Sequence, residues 1–301
     1  MIPIKNPLVS IVAICWNRKD VVRESLSQIS ELTYPNLEVI LVDNCSTDGT
    51  VEMVKNSFPN VDVLCMDKNI GVSAYNFGFR KASGEYIIIL DDDSYPEKGA
   101  IELMVEKFQG DALLGVVAFD VRDFKDYKDY NEAYTIKTTN QSQQLQNYLM
   151  SFHGAGAGVR QKILEKLGGY PDEFFLYFNE TDLALRIWNE GYKIESFPDV
   201  IAFHKSSHVN RYSKRAPFYY TRNLFYIIWK HYPVDMMWIK TLQVLYYVFY
   251  HTLDQKTTVY IVALLDAIKN YMTIRKKRKP VKRHIAKKLR IHLESPFLMY
   301  R

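Results

Sequence analysis

Apolar runs and amphipathic stretches alternate through the first 120 residues. Runs at 8–15, 37–42, 61–65, 86–90 and 113–119 are rich in Val, Ile and Leu. They lack a strict apolar-polar alternation, which predicts strands covered on both faces. Between them, 20–32 sets Val21, Val22, Leu26 and Ile29 at helical spacing, and 51–58, 72–82 and 99–108 also read as helices. Ser46 or Thr47 is expected to cap the helix at 51–58. Strand-helix alternation of this kind predicts an α/β fold with a mostly parallel central sheet flanked by helices.

The pattern then changes. Residues 122–147 are charged and rich in Tyr and Gln, and read as an excursion over the sheet. The glycines of 153–158 suit either close backbone approach to a ligand or a structural turn. A helix is expected at 161–167, a stop at 168–171, and a helix at 180–189 with Leu183, Ile187 and Trp188 inward. Two short strands follow at 192–197 and 200–203. Beyond about 216 come aromatic-rich helical stretches at 219–229, 238–250 and 257–272. None reaches the roughly 20 apolar residues of a spanning helix. They either pack together or pack together and also rest on a bilayer interface. The expected domains are therefore 1–215, with halves near 1–120 and 121–215, and a helical extension at 216–301.

Composition sharpens this picture. A hydrophobic fraction of 48% supports a sizeable core, and the net charge of +5 is unevenly placed. Residues 275–290 hold ten Lys and Arg and no acid, which leaves the rest of the chain at −5 (+5 less ten). A mildly acidic body with a basic tail points to an anionic membrane surface, not to a nucleic-acid groove. Cys15, Cys45 and Cys65 have no metal or disulfide spacing and are expected to be reduced core thiols. The first seven residues lack a charged leader and apolar core, so no secretory signal is expected.

Chemistry concentrates where strands end. Asp91, Asp92 and Asp93 follow the 86–90 run directly, at the strand edge where open α/β sheets place ligands. Adjacent carboxylates repel, and a Mg2+ or Mn2+ ion shared with phosphates would relieve them; the plain alternative is an acidic loop. Asp43 ends the second run and is either a turn residue or an acceptor for base or ribose donors. The first strand is followed by no G-x-G-x-x-G, which disfavours a dinucleotide site. It also lacks the Gly-rich basic loop of a nucleotidyltransferase. Glu180 and Asp182 open a helix, as caps or as a general base. His204 ends a strand and is a candidate metal ligand, with His208 the competing choice.

In order along 8–210, the pieces 9–14 with Asn17 and Arg18, 42–49, 69–78, 91–93, 168–175 and 179–186 resemble the inverting glycosyltransferases of family 2, and within them a rhamnosyltransferase-like branch. The resemblance implies the GT-A nucleotide-diphospho-sugar transferase fold and an enzyme that builds polysaccharide, and the basic tail adds the expectation of a peripheral place at the inner face of a cell membrane. It implies that Asp43 holds the nucleotide base, beside Asn17 and Arg18. Asn69, Gly71 and Asn76 would shape the donor pocket, and Asp91, with Asp92, would lie by the ribose and sugar. Asp93 and His204 would hold the metal. The family's Glu-Asp-x-Asp reads here Asn179-Glu180-Thr181-Asp182, which maps the base to Glu180 and keeps Asp182 as second choice. The implied donor is dTDP-rhamnose or a UDP-sugar, and the acceptor a saccharide or lipid-linked saccharide. A binding or scaffold protein without turnover is the alternative.

Overall fold

The computed structural model describes residues 6–123, 151–205 and 215–288, with Leu293 and Phe297. The excursion expected at 122–147 lies outside them from residue 124 on, as do His208 and the last part of the basic tail. Eight strands form one sheet: β1 (Val9–Cys15), β2 (Leu37–Asp43), β3 (Val61–Cys65), β4 (Tyr86–Asp91), β5 (Ser94–Pro96), β6 (Leu114–Asp123), β7 (Ala157–Arg160) and β8 (Lys193–His204). Their order across the sheet is β3-β2-β1-β4-β7-β6-β8-β5. The first four are mutually parallel where they pair, and β6 runs parallel to β8. β7 is antiparallel to both neighbours, and β5 is antiparallel to β8.

Helices cover both faces. Val9, Ile11 and Ala13 of β1 share a core with Val22, Leu26 and Ile29 of α1 (Lys19–Ser30), Met53 and Val54 of α2 (Thr50–Ser57), and Met104 and Phe108 of α4 (Ala100–Gly110). Val12 points the other way, because side chains alternate along a strand. There it meets α3 (Tyr75–Lys81), where a Cβ on Gly78 would lie 2.3 Å from Val12 Cγ1. A further helix, α5 (Gln161–Leu167), follows β7 directly.

Four expectations change. The end of the glycine run enters β7, where a Cβ on Gly158 would lie 2.2 Å from Met104 Sδ, so this glycine admits a neighbouring helix, and residues 154–155 form the turn that precedes the strand. The two short strands at 192–203 are one strand, β8. Its register against β6 jumps between Phe119 and Asp120, where Pro198 and Asp199 lie exposed; proline has no N–H for the ladder. Ser46 and Thr47 do not cap α2; Gly49 precedes it and Asp48 Oδ1 accepts the Thr50 amide at 3.1 Å. Of the cysteines, only Cys15 is buried, and Cys65 is exposed.

The chain divides into two compact units, Met1–Tyr170 with Gly191–Ser206, and Pro171–Glu190 with Ser207–Arg301. The sheet belongs to the first. The second is helical: α6 (Asn179–Asn189), α7 (Arg215–His231), α8 (Val234–Asp254), α9 (Val259–Lys269), α10 (Tyr271–Lys276) and α11 (Arg283–Lys288). Its centre is charged. Asp182 of α6 is 1% exposed, and its carboxylate accepts from Lys230 Nζ and pairs with His231 Nε2, both at 2.7 Å. Arg186, one turn along α6, closes the set at 2.8 Å. Burial alone would raise the Asp182 carboxyl, but His231, Arg186 and Lys230 outweigh it and hold it well below the usual carboxylate range. Lys230 also reaches Glu173, at 2.8 Å.

Two predictions follow from this packing. In urea unfolding, Gly78→Ala loses about 1–3 kcal/mol by overpacking β1, whereas Gly110→Ala, at an open helix position, is neutral or gains up to about 1 kcal/mol. Asp182→Asn strands buried cations and costs about 3–5 kcal/mol at neutral pH. Because its folded pKa is depressed, Asp182 stabilises above the unfolded carboxylate pKa of about 3.9, and that gain is lost as pH falls through the folded value. The gap between wild type and variant therefore closes on acidification.

Candidate active site

Parallel strands bring their carboxyl ends to one edge. β1 and β4 are neighbours in register, with Ile14 opposite Asp91, so Arg18 after β1 and the acidic triplet after β4 emerge together. The three-residue β5 supplies the remaining member. It pairs antiparallel with β8, setting Ser94 opposite His204, and thereby places His204 beside Asp93.

The result is a knot of charge within the first unit. Arg18 Nη1 binds Asp92 Oδ1 at 2.6 Å, and its Nη2 binds Asp93 Oδ2 at 2.9 Å. His204 Nε2 lies 3.1 Å from Asp93 Oδ1. Tyr75 Oη donates to the Leu90 carbonyl at 2.7 Å and sits 3.2 Å from Asp91 Oδ1. The turn itself is fixed from outside: Ser25 Oγ donates to Asp92 O, and the Lys205 amide to Asp93 O.

Burial and mutual repulsion separate the three acids. Burial, with Asp93 beside it, raises the Asp91 carboxyl, while His153, His204 and Tyr75 pull it back only in part. Burial pushes Asp92 up to about 7 despite Arg18. For Asp93 burial is outweighed by the His204 hydrogen bond and by Arg18, and it falls below the usual range.

Asp91, Asp93 and His204 each offer one ligand atom, and these atoms lie within 4.8 Å of one another. Ligands about 2.1 Å from one octahedral ion stand about 3–4 Å apart, so small side-chain shifts suffice. Two carboxylates and one imidazole suit Mg2+ or Mn2+. The residues fit the expected ion, and Asp91 joins the set from the donor side where sequence reasoning had put it.

The other expected residues fall into two groups. Asp43 is buried at the end of β2, its Oδ2 accepting the Ser46 amide at 2.8 Å and its Oδ1 facing the Cys15 thiol at 3.4 Å. Asn17 ties two loops, its Oδ1 accepting the Thr47 amide and its own amide donating to Ser46 Oγ. Asn69 accepts the Gly71 amide at 2.9 Å, where Gly71 takes φ +66°. Asn76 uses both ends of its amide on the Tyr170 backbone, at 2.8 and 2.7 Å, and so clamps the 168–170 turn.

Glu180 and Asp182 belong to the second unit. Glu180 is half-buried in the first turn of α6, its Oε1 accepting from Asn179 Nδ2 at 2.8 Å. The preceding Tyr177 and Phe178 take left-handed φ of 66° and 64°, a strained conformation for aromatic residues. Asn223 of α7 holds that loop by donating to the Leu176 and Tyr177 carbonyls, and Tyr177 stacks on Tyr220 at 4.1 Å.

Sequence reasoning missed Ser25, Asn44, Tyr75 and His153. Asn44 bridges the Ile70 amide and Gly71 carbonyl, both at 3.0 Å, and the His153 ring lies 5.9 Å from that of His204. Tyr75 lies inside the 69–78 motif and Asn44 directly follows Asp43, but only the folded sheet edge gives them partners.

Among known proteins, 29% identity over 213 residues links the chain to the probable glycosyltransferase YdaM of Bacillus subtilis (strain 168), over 65% of this chain and 50% of that protein. It is 31% identical over 196 residues to poly-beta-1,6-N-acetyl-D-glucosamine synthase of Staphylococcus epidermidis (strain ATCC 35984 / DSM 28319 / BCRC 17069 / CCUG 31568 / BM 3577 / RP62A), over 62% of this chain and 48% of that one. The chain thus spans about half the length of these relatives. A solved mannosyltransferase, PcManGT from Pyrobaculum calidifontis in complex with GDP-Man and Mn2+, has a TM-score of 0.58 at 24% identity, over 73% of this chain and 62% of that one. That likeness carries the fold, which is the expected GT-A arrangement. The family model for Glycosyl transferase family 2 matches residues 10–168, more than half of the chain, and the protein belongs to that family.

Proposed function

We propose that this chain is an inverting, divalent-metal-dependent glycosyltransferase. It moves a sugar from a nucleotide-diphosphate donor to a hydroxyl of a polysaccharide or lipid-linked saccharide. One observation carries the reading: in a family 2 chain, Asp91, Asp93 and His204 bring three ligand atoms within 4.8 Å of one another at the carboxyl edge of the sheet. A Mg2+ or Mn2+ ion held there would offset charge developing on the leaving diphosphate.

The chain's own groups complete the scheme. Arg18 screens Asp92 and Asp93 from each other and adds positive charge where phosphates dock. Asp43 is the residue for the base: among the described residues its Oδ1 has only a thiol partner at 3.4 Å, a weak donor that a base N–H outcompetes. Glu180 takes the acceptor proton. Its rival Asp182 is held by Lys230, His231 and Arg186, and acting as base would mean dismantling that network. One displacement aided by one base inverts the anomeric centre, without a carboxylate nucleophile. The polysaccharide acceptor class is supported by the name of the Staphylococcus relative.

The test is diphosphate release and sugar transfer with dTDP-rhamnose, UDP-N-acetylglucosamine and GDP-mannose, with and without chelator. The expected result is Mn2+- or Mg2+-dependent turnover of one donor, abolished by Asp93→Ala. Glu180→Gln is expected to lower kcat by about 10²–10⁴ with little change in donor KM. Full activity in Glu180→Gln, or turnover that survives chelation, contradicts the scheme.

A further inference from the structure

The second unit leaves a large apolar face uncovered. On α8 the buried side consists of Met237, Thr241, Val244, Val248 and His251. At 100° per residue, the opposite arc holds Trp238, Leu242, Tyr246, Phe249 and Leu253, all exposed, Leu253 by 78%. The acid on that arc, Asp235, is bound by Arg283 at 2.8 Å. The neighbouring helix repeats the pattern. Tyr260, Ala263, Leu264 and Ala267 of α9 are buried, while Val262, Leu265 and Ile268 are more than half exposed. Met272 continues this exposed side into α10. A contiguous exposed apolar surface of this kind marks a contact site.

Charge says what covers it. Exposed Lys269, Arg275 and Lys276 follow the exposed side of α9, and the Arg283–Asp235 bond returns the basic segment to the start of α8. An apolar face bordered by cations and carrying Trp and Tyr matches the boundary between headgroups and acyl chains. A second copy laid face to face would set two such cationic segments against each other. No described helix is long and apolar enough to cross a membrane, so the helices would lie along the surface, not span it.

We infer that the exposed sides of α8 and α9, with the cations of α10 and α11, form a docking surface for an anionic lipid bilayer. The surface stands apart from the glycosyl-transfer reading, since it uses none of the residues proposed for transfer and its test needs neither donor nor acceptor.

The test is flotation of the full chain with phosphatidylglycerol-containing vesicles and with phosphatidylcholine alone, alongside light scattering in solution. The wild type is expected to favour anionic vesicles, with Trp238 emission shifting to the blue and the shift vanishing in Trp238→Phe. Leu242→Glu/Leu253→Glu should lower binding to anionic vesicles about tenfold or more. Arg275→Glu/Lys276→Glu should lower binding to anionic vesicles alone, by about tenfold. Equal partition of wild type and the charge variant overturns the inference. So does a solution dimer dissociated by Leu242→Glu with vesicle binding unchanged. Should the double glutamate variant fail to fold, as read by circular dichroism, the charge variant and the Trp238 signal decide.

Discussion

Three carboxylates packed at the end of one buried strand repel each other, and the first unit is arranged around answering that repulsion. Asp91 and Asp92 are pushed up by burial, His153 and Tyr75 offset part of that at Asp91, and Arg18 and His204 compensate the cluster by direct pairing. Both compensating groups are delivered by the sheet. Parallel β1 and β4 end at the same edge, and β5 draws the end of β8 back to it. Under the proposed reading a divalent ion would be the further relief, with Asp93 and His204, now 3.1 Å apart, as its holders.

The second unit solves a different problem with similar parts. Asp182 is fully enclosed, and Lys230 and His231 of α7 with Arg186 of α6 hold it there. That network fixes the start of α6, where Glu180 sits after the left-handed pair Tyr177 and Phe178. The two acids lie two residues apart yet differ in kind: one is locked in a cation cage, the other half-buried. On a helix, residues two apart point to different sides, and this separates an anchoring acid from the one proposed to move a proton.

Much of the fold was legible in the residues because the buried parallel strands announce themselves. The 86–90 run and β1 needed no tertiary information, and α5 begins and ends as its periodicity indicates. Legibility failed where tertiary contacts decide. Nothing local marks the three residues of β5 as a strand, and it is β5 that places His204. Gly158 of β7 read as part of a glycine run open to a ligand or a turn, because sequence does not show Met104 above it. Asn76 reads as part of a donor-site motif, but its partner Tyr170 is 94 residues away. Asp182 and Glu180 are chemically alike in the sequence, and the cations gathered on Asp182 from α6 and α7 distinguish them.

The central claim is that Asp91, Asp93 and His204 form one divalent-ion site, and direct Mn2+ binding tests it best. Calorimetry or electron paramagnetic resonance in the presence of a nucleoside diphosphate should give one ion per chain. Affinity should fall about tenfold or more in His204→Ala and further in Asp93→Ala, as expected when first-sphere ligands are removed. Wild-type protein that binds no Mn2+, or binding unchanged by both substitutions, would contradict the account.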